Sequence, residues 1–152
     1  MLRERSSLTL SLFMALVSLS CGALSTMQQI QVATFEEMRD VERYQIKIAE
    51  KHFLNGNFKV ALAEYEKFLT LYEESPGAPY AQLMWSHTMM KLKKPKSALR
   101  DGFQSVIDYW PKSHEATLAA YCIGNSYRTM GEVKDAQKAF RFLIKEYPKH
   151  DI

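Results

Sequence analysis

Residues 120–148 read AYCIGNSYRTMGEVKDAQKAFRFLIKEYP. Small residues, aromatics and turn formers stand in it at helical offsets: Gly124, Tyr127, Gly131, Ala136, Phe140 and Pro148. The spacing predicts two helices joined by a tight turn. Gly131 falls where the chain leaves the first helix, and glycine enters the left-handed conformation that such a turn needs without a Cβ penalty. Pro148 ends the second helix, because proline has no N–H for the helix ladder. Gly124 and Ala136, one on each helix, predict a close crossing that a larger side chain would force apart. Ala136, Phe140, Leu143 and Tyr147 recur at helical spacing and form the stripe that faces the partner helix.

The same pattern occurs twice more, upstream. One copy has Gln45, Ile48, Ala49 and His52, then Gly56, Ala61 and Tyr65. The other has Gln82, Trp85, Ser86 and Met89, then Ala98, Phe103 and Pro111. From Ala61 to Ala98 is 37 positions, from Ala98 to Ala136 is 38, and from Pro111 to Pro148 is 37. A period of this size marks a helical repeat array. Ala49, Ser86 and Gly124 are the small residues of each first helix, helix A. Ala61, Ala98 and Ala136 are their counterparts on each second helix, helix B, and Tyr65, Phe103 and Phe140 fill the space between repeats. Ala98 and Phe103 are one residue further apart than the matching pairs, with Gly102 between them, which predicts a bulge or register shift in that helix. Six helices are expected, near 36–54, 57–74, 79–92, 95–110, 114–130 and 133–147. Pro79 suits a first helical turn and Ser113 an N-cap. No period-2 strand pattern appears.

With Ala120 in place of its first aromatic, the stretch that runs through Gly124, Tyr127, Gly131, Ala136, Phe140 and Pro148 resembles the tetratricopeptide repeat. The resemblance covers about residues 41–150. It implies an all-α fold, a right-handed α-solenoid of about three helix–turn–helix units, with repeats near 41–77, 78–115 and 116–150. Phe140-x-Phe142-Leu143-Ile144-x2-Tyr147-Pro148, with Val106-Ile107-Asp108-Tyr109-Trp110-Pro111 before it, is similar to a periplasmic subclass. That subclass includes the outer-membrane assembly lipoprotein BamD and the Tol–Pal-associated protein once called YbgF. In it, helix B ends in an aromatic–proline pair followed by a short polar turn, as in Pro111-Lys112-Ser113 here.

The N-terminus reads as an export signal. Arg3 and Arg5 precede a run from Leu8 to Leu19 that only Ser and Thr interrupt. The run is shorter than the roughly 20 residues that span a bilayer, and it fits a secretory h-region. Ser18-Leu19-Ser20-Cys21 resembles a lipobox, in which Cys21 becomes lipid-modified, and Ala23-Leu24-Ser25 offers an ordinary cleavage site instead. The expected domains are a signal peptide over 1–20, a linker over 21–35 and the repeat domain over 36–152. Export to the periplasm, or to the periplasmic face of the outer membrane, follows from this reading. Cys122, the second of two cysteines, is expected to be a small buried hydrophobe.

Of the 152 residues, 47% are hydrophobic and 24% charged, with a formal net charge of +3, and these values suit a folded chain. Lys91, Lys93, Lys94 and Lys96 form the one basic cluster, beside Pro95, and read as a solvated inter-helix turn. They carry no interleaved aromatics, so nucleic acid is not an expected partner. His52, His87, His114 and His150 show no metal-ligand spacing, and the chain has no glycine-rich phosphate loop and no Gly-x-Ser-x-Gly elbow. The expectation is a non-enzymatic scaffold without cofactor or metal.

Stacked repeats create a concave face lined by helix A. The resemblance places Arg43, Ile46, Glu50 and Phe53 there in the first repeat. It adds Tyr80, Leu83, His87 and Met90 in the second, then Leu118, Tyr121, Asn125 and Arg128 in the third. This mixture suits an extended or helical peptide of another envelope protein. The alternative is a structural array that stacks or self-associates. Phe142 bears on it, because the earlier repeats have Lys67 and Ser105 at that position, so its ring suggests an added contact at the C-terminal face. With Pro148 only four residues before the end, no separate capping helix is expected.

Overall fold

A computed structural model of the protein describes residues 30–148. The proposed signal, cleavage sites and Cys21 lie outside the described residues, as does His150. Seven helices occupy the described part, which contains no strand. They are α1 (Val32–Glu37), α2 (Asp40–Leu54), α3 (Phe58–Leu71), α4 (Ala78–Lys91), α5, α6 (His114–Thr129) and α7 (Val133–Glu146). Helix α5 is composite: Pro95–Ser97 is α-helical, Ala98–Phe103 is π-helical and Gln104–Tyr109 is α-helical again. Helices α2–α3, α4–α5 and α6–α7 form the three pairs, and from α2 onward each helix packs against the next.

The π-helical segment is the bulge that the spacing predicts. A π turn holds one residue more than an α turn. Ala98 and Phe103, five apart, therefore both stay buried, as Ala61 and Tyr65 do four apart in α3. Gly102 lies inside the bulge and sets its approach to α4. A Cβ built there would sit 2.4 Å from Ser86 Oγ and 3.2 Å from Ser86 Cα. Ser86 can sit at this crossing because its hydroxyl donates to the Gln82 carbonyl at 2.7 Å.

The third pair crosses as closely. A Cβ on Gly124 would lie 2.6 Å from Phe140 Cε1. Gly124→Leu is expected to lower stability by roughly 1–3 kcal/mol, because the new side chain must displace that ring. Urea unfolding checks this, and an unchanged midpoint would contradict the crossing.

Each pair is closed by the same turn. In the first, Asn57 N–H donates to His52 C=O at 2.9 Å and Gly56 N–H to Phe53 C=O at 3.0 Å. Lys94 to Met89 and Lys93 to Met90 repeat this at 3.0 and 3.1 Å, and Glu132 to Tyr127 and Gly131 to Arg128 at 2.9 and 3.1 Å. These are the bonds of a Schellman cap, whose turning residue is left-handed. Gly56 has φ 75 and Gly131 φ 79, but the second turn puts Lys93 there at φ 60. A side chain in this conformation costs about 1–2 kcal/mol.

Two buried clusters share α4. Tyr80, Ala81 and Met84 face back onto Ile46, Ala49, Tyr65 and Phe68. Leu83 and Met89 face forward onto Ala98, Phe103, Val106 and Ala119. A helix with neighbours on both sides is apolar nearly all round, and α4 is so. Ser113 caps α6, its Oγ accepting from Ala116 N–H at 3.1 Å.

The end of the supposed linker, residues 32–35, belongs to helix α1, and Ile30 and Phe35 pack on the first cluster. Phe142 is among the exposed apolar residues of α7. It borders a cavity of about 360 Å³ against the preceding helices, with Ile107, Ile123 and Tyr127. Its ring meets Tyr147 edge to face at 6.2 Å, and it stays 41% exposed.

Candidate functional site

The helix-A residues expected at the groove divide by burial. Ile46 and Leu83 are core residues at 0% and 1% exposure, so they support the face from below and do not line it. Phe53, Tyr80 and Leu118 are buried too. Arg43, Glu50, His87, Met90, Tyr121 and Asn125 are mostly buried with an edge exposed, and Arg128 is open to solvent. The reason is the stacking itself. Helix A of the next repeat covers part of the preceding helix A, and the spacing within one helix cannot show how much.

Equivalent positions of successive repeats hold Glu50, His87 and Asn125. They stand one helical position after Ala49, Ser86 and Gly124, so the close-crossing residue fixes each of them at the edge of the face. Glu50 accepts the Tyr80 hydroxyl at 2.5 Å, across the boundary between repeats. Burial pushes the Glu50 carboxyl above its ordinary range, and the Tyr80 bond and the charge of Lys47 oppose that shift. Asn125 Oδ1 accepts from Arg128 Nη2 at 2.7 Å and from Nε at 3.2 Å, which holds the guanidinium along α6.

His87 crosses the next boundary. Its ring stands edge-on to Phe103 with centroids 5.1 Å apart, and its Nε2 lies 3.9 Å from Cys122 Sγ. Burial lowers the His87 pKa to about 4, and Lys91 adds to the effect. Burial likewise pushes the Cys122 thiol up to about 12. Both groups are neutral near pH 7. A thiol held in that form is a poor nucleophile, so this pair is not arranged for covalent catalysis. Among the described residues no group of three or more His, Cys, Asp or Glu side chains is placed to hold a metal ion.

Between α4 and α6 the face opens into a cavity of about 390 Å³. Met90, Phe103, Leu118 and Tyr121 give it an apolar lining, and Lys91 and Lys93 stand among the residues around it. The sequence shows Lys91 and Lys93 as part of a basic turn. It does not show that the turn borders a cavity, because Phe103 and Leu118 come from other helices.

Residues 119–150 match the family model of a tetratricopeptide repeat. The match covers most of the third helix pair. The two preceding pairs have its turns and its close crossings, and the architecture as a whole is that of an all-α tetratricopeptide solenoid. A search of curated proteins with the chain gives no match. Tetratricopeptide repeats generally bind protein partners, through surfaces that stacked helices present.

Proposed function

We propose that the protein is a non-enzymatic scaffold that binds a peptide segment of a partner protein on its helix-A face. The observation that carries this is the cavity between α4 and α6, bordered by His87 and Asn125 at equivalent positions of successive repeats. An apolar cavity with a few fixed polar groups holds a side chain and orients the backbone around it. The test is a photoreactive amino acid placed in cells at Tyr121, in the cavity, or at Lys59, exposed on α3. Adducts with another protein at Tyr121 alone support the reading, and equal adducts at both positions contradict it.

Open apolar residues on α7 favour the second reading, a repeat array that stacks or self-associates. Val133 and Ile144 are 61% and 70% exposed. Their counterparts on α3, Phe58 and Leu69, pack against the first cluster. Sedimentation of the full chain and of Ile144→Ser separates the readings, since association that the substitution abolishes belongs to the α7 face.

We place this scaffold in the cell envelope. The basic start, the apolar run to Leu19 and the Ser18–Cys21 motif support export, and the aromatic–proline helix ends support a likeness to the BamD and YbgF subclass. Membrane attachment would then run through a lipid on Cys21, and the partner would be another envelope protein, with a role in outer-membrane protein assembly or envelope maintenance. Labelling with a fatty-acid analogue is expected to mark the protein, and Cys21→Ser to abolish the mark. An unlabelled product starting at Thr26 would contradict lipidation and support ordinary cleavage.

A further inference from the structure

The second turn is built unlike its two sisters. Its hydrogen bonds are the same, but its left-handed residue is Lys93, where the others have Gly56 and Gly131. Strain of this kind persists where the side chain has another use. Lys93 does not serve the turn, since glycine makes the same bonds twice in this chain. It forms no ion pair among the described residues. Its place is beside the cavity between α4 and α6, next to Lys91.

The charges there have one sign. Lys91 and Lys93 are exposed, and no Asp or Glu lines the cavity. Arg128 lies outside the lining, one turn along α6 from Asn125, on whose oxygen it is held. His87 contributes no charge near neutral pH. Beneath the cations the surface is apolar, with Leu118 buried at 7% exposure and Met90 and Tyr121 half-buried. A basic segment would be repelled at this rim, and an acidic one drawn to it.

We infer that this cavity receives an apolar side chain from a peptide segment with acidic flanks, whose carboxylates pair with Lys91 and Lys93. The inference rests on the groove reading above and adds the chemistry of the partner. It explains why a strained lysine stands where glycine would be more stable.

The test uses the full chain and synthetic peptides amidated at the C-terminus, so that only side-chain carboxylates are offered. One carries Leu-Phe between Glu residues, one the same pair between Gln residues, and one between Lys residues. Fluorescence anisotropy is expected to rank them Glu, Gln, Lys, with the advantage of Glu over Gln shrinking in high salt. Lys93→Gly is expected to raise the melting temperature and to weaken the Glu peptide by about three- to fivefold, leaving the Gln peptide unchanged. Lys91→Gln should weaken the same peptide without the rise in stability. Equal binding of the Glu and Gln peptides, or tighter binding of the Lys peptide, overturns the inference and leaves the groove reading standing. Binding that survives Leu118→Asp, a substitution in the cavity floor, overturns the groove reading as well.

Discussion

Gly102→Leu is expected to destabilise the protein by about 3 kcal/mol or more, at the upper end of what overpacking costs. The position is less forgiving than Gly124. At Gly124 the obstructing group is the Phe140 ring, half-exposed on α7, which has room to turn aside. At Gly102 the obstruction includes Ser86 Cα, 3.2 Å from the built Cβ, and so the backbone of α4. Helix α4 belongs to both clusters and cannot retreat without opening the first. Urea unfolding of the two variants checks the order. A Gly102→Leu protein no less stable than Gly124→Leu would mean that α4 and α5 do not cross at the bulge.

The second large effect depends on pH. His87 folds neutral, with its pKa lowered to about 4 first by burial and then by Lys91. In the unfolded chain a histidine takes up a proton below about pH 6.5. Between these values the unfolded state binds a proton that the folded state refuses, so stability falls as the pH is lowered. The contribution is complete above about pH 6.5. About 2–3 kcal/mol of it is lost by pH 4. Carboxyl groups also titrate toward the lower end of this range, Glu42 with a lowered pKa and Glu50 with a raised one. His87→Leu isolates the histidine. Unfolding free energies of the variant, measured at pH 7 and pH 4.5, should differ by less than those of the wild type, and equal differences would show that the ring is solvated.

Much of the fold was legible because the repeat writes its contacts at fixed offsets. Ala49, Ser86 and Gly124 mark close crossings, Gly56 and Gly131 mark left-handed turns, and the extra residue before Phe103 marks the π-helical bulge. Helix α1 was not legible, since six residues carry too little periodicity to separate a short helix from a linker. The candidate site was legible only in part. The spacing puts Ile46 and Leu83 on the same helix-A face as Glu50 and His87, but the next repeat covers the first two and leaves the others at the edge. The cavity that Phe142 borders was not legible, because Ile107 and Ile123 come from other helices. Lys93 was read as an ordinary turn residue, and its strain became apparent only beside the backbone of its two sisters.

Ligands are expected to meet this protein between α4 and α6. The most direct measurement is a titration of the ¹⁵N-labelled chain with the Glu-flanked Leu-Phe peptide, following amide and side-chain signals by NMR. Shifts centred on His87, Met90, Lys93, Tyr121 and Asn125, with α3 and the open face of α7 silent, are the predicted result. Shifts centred on Val133 and Ile144 instead would contradict it.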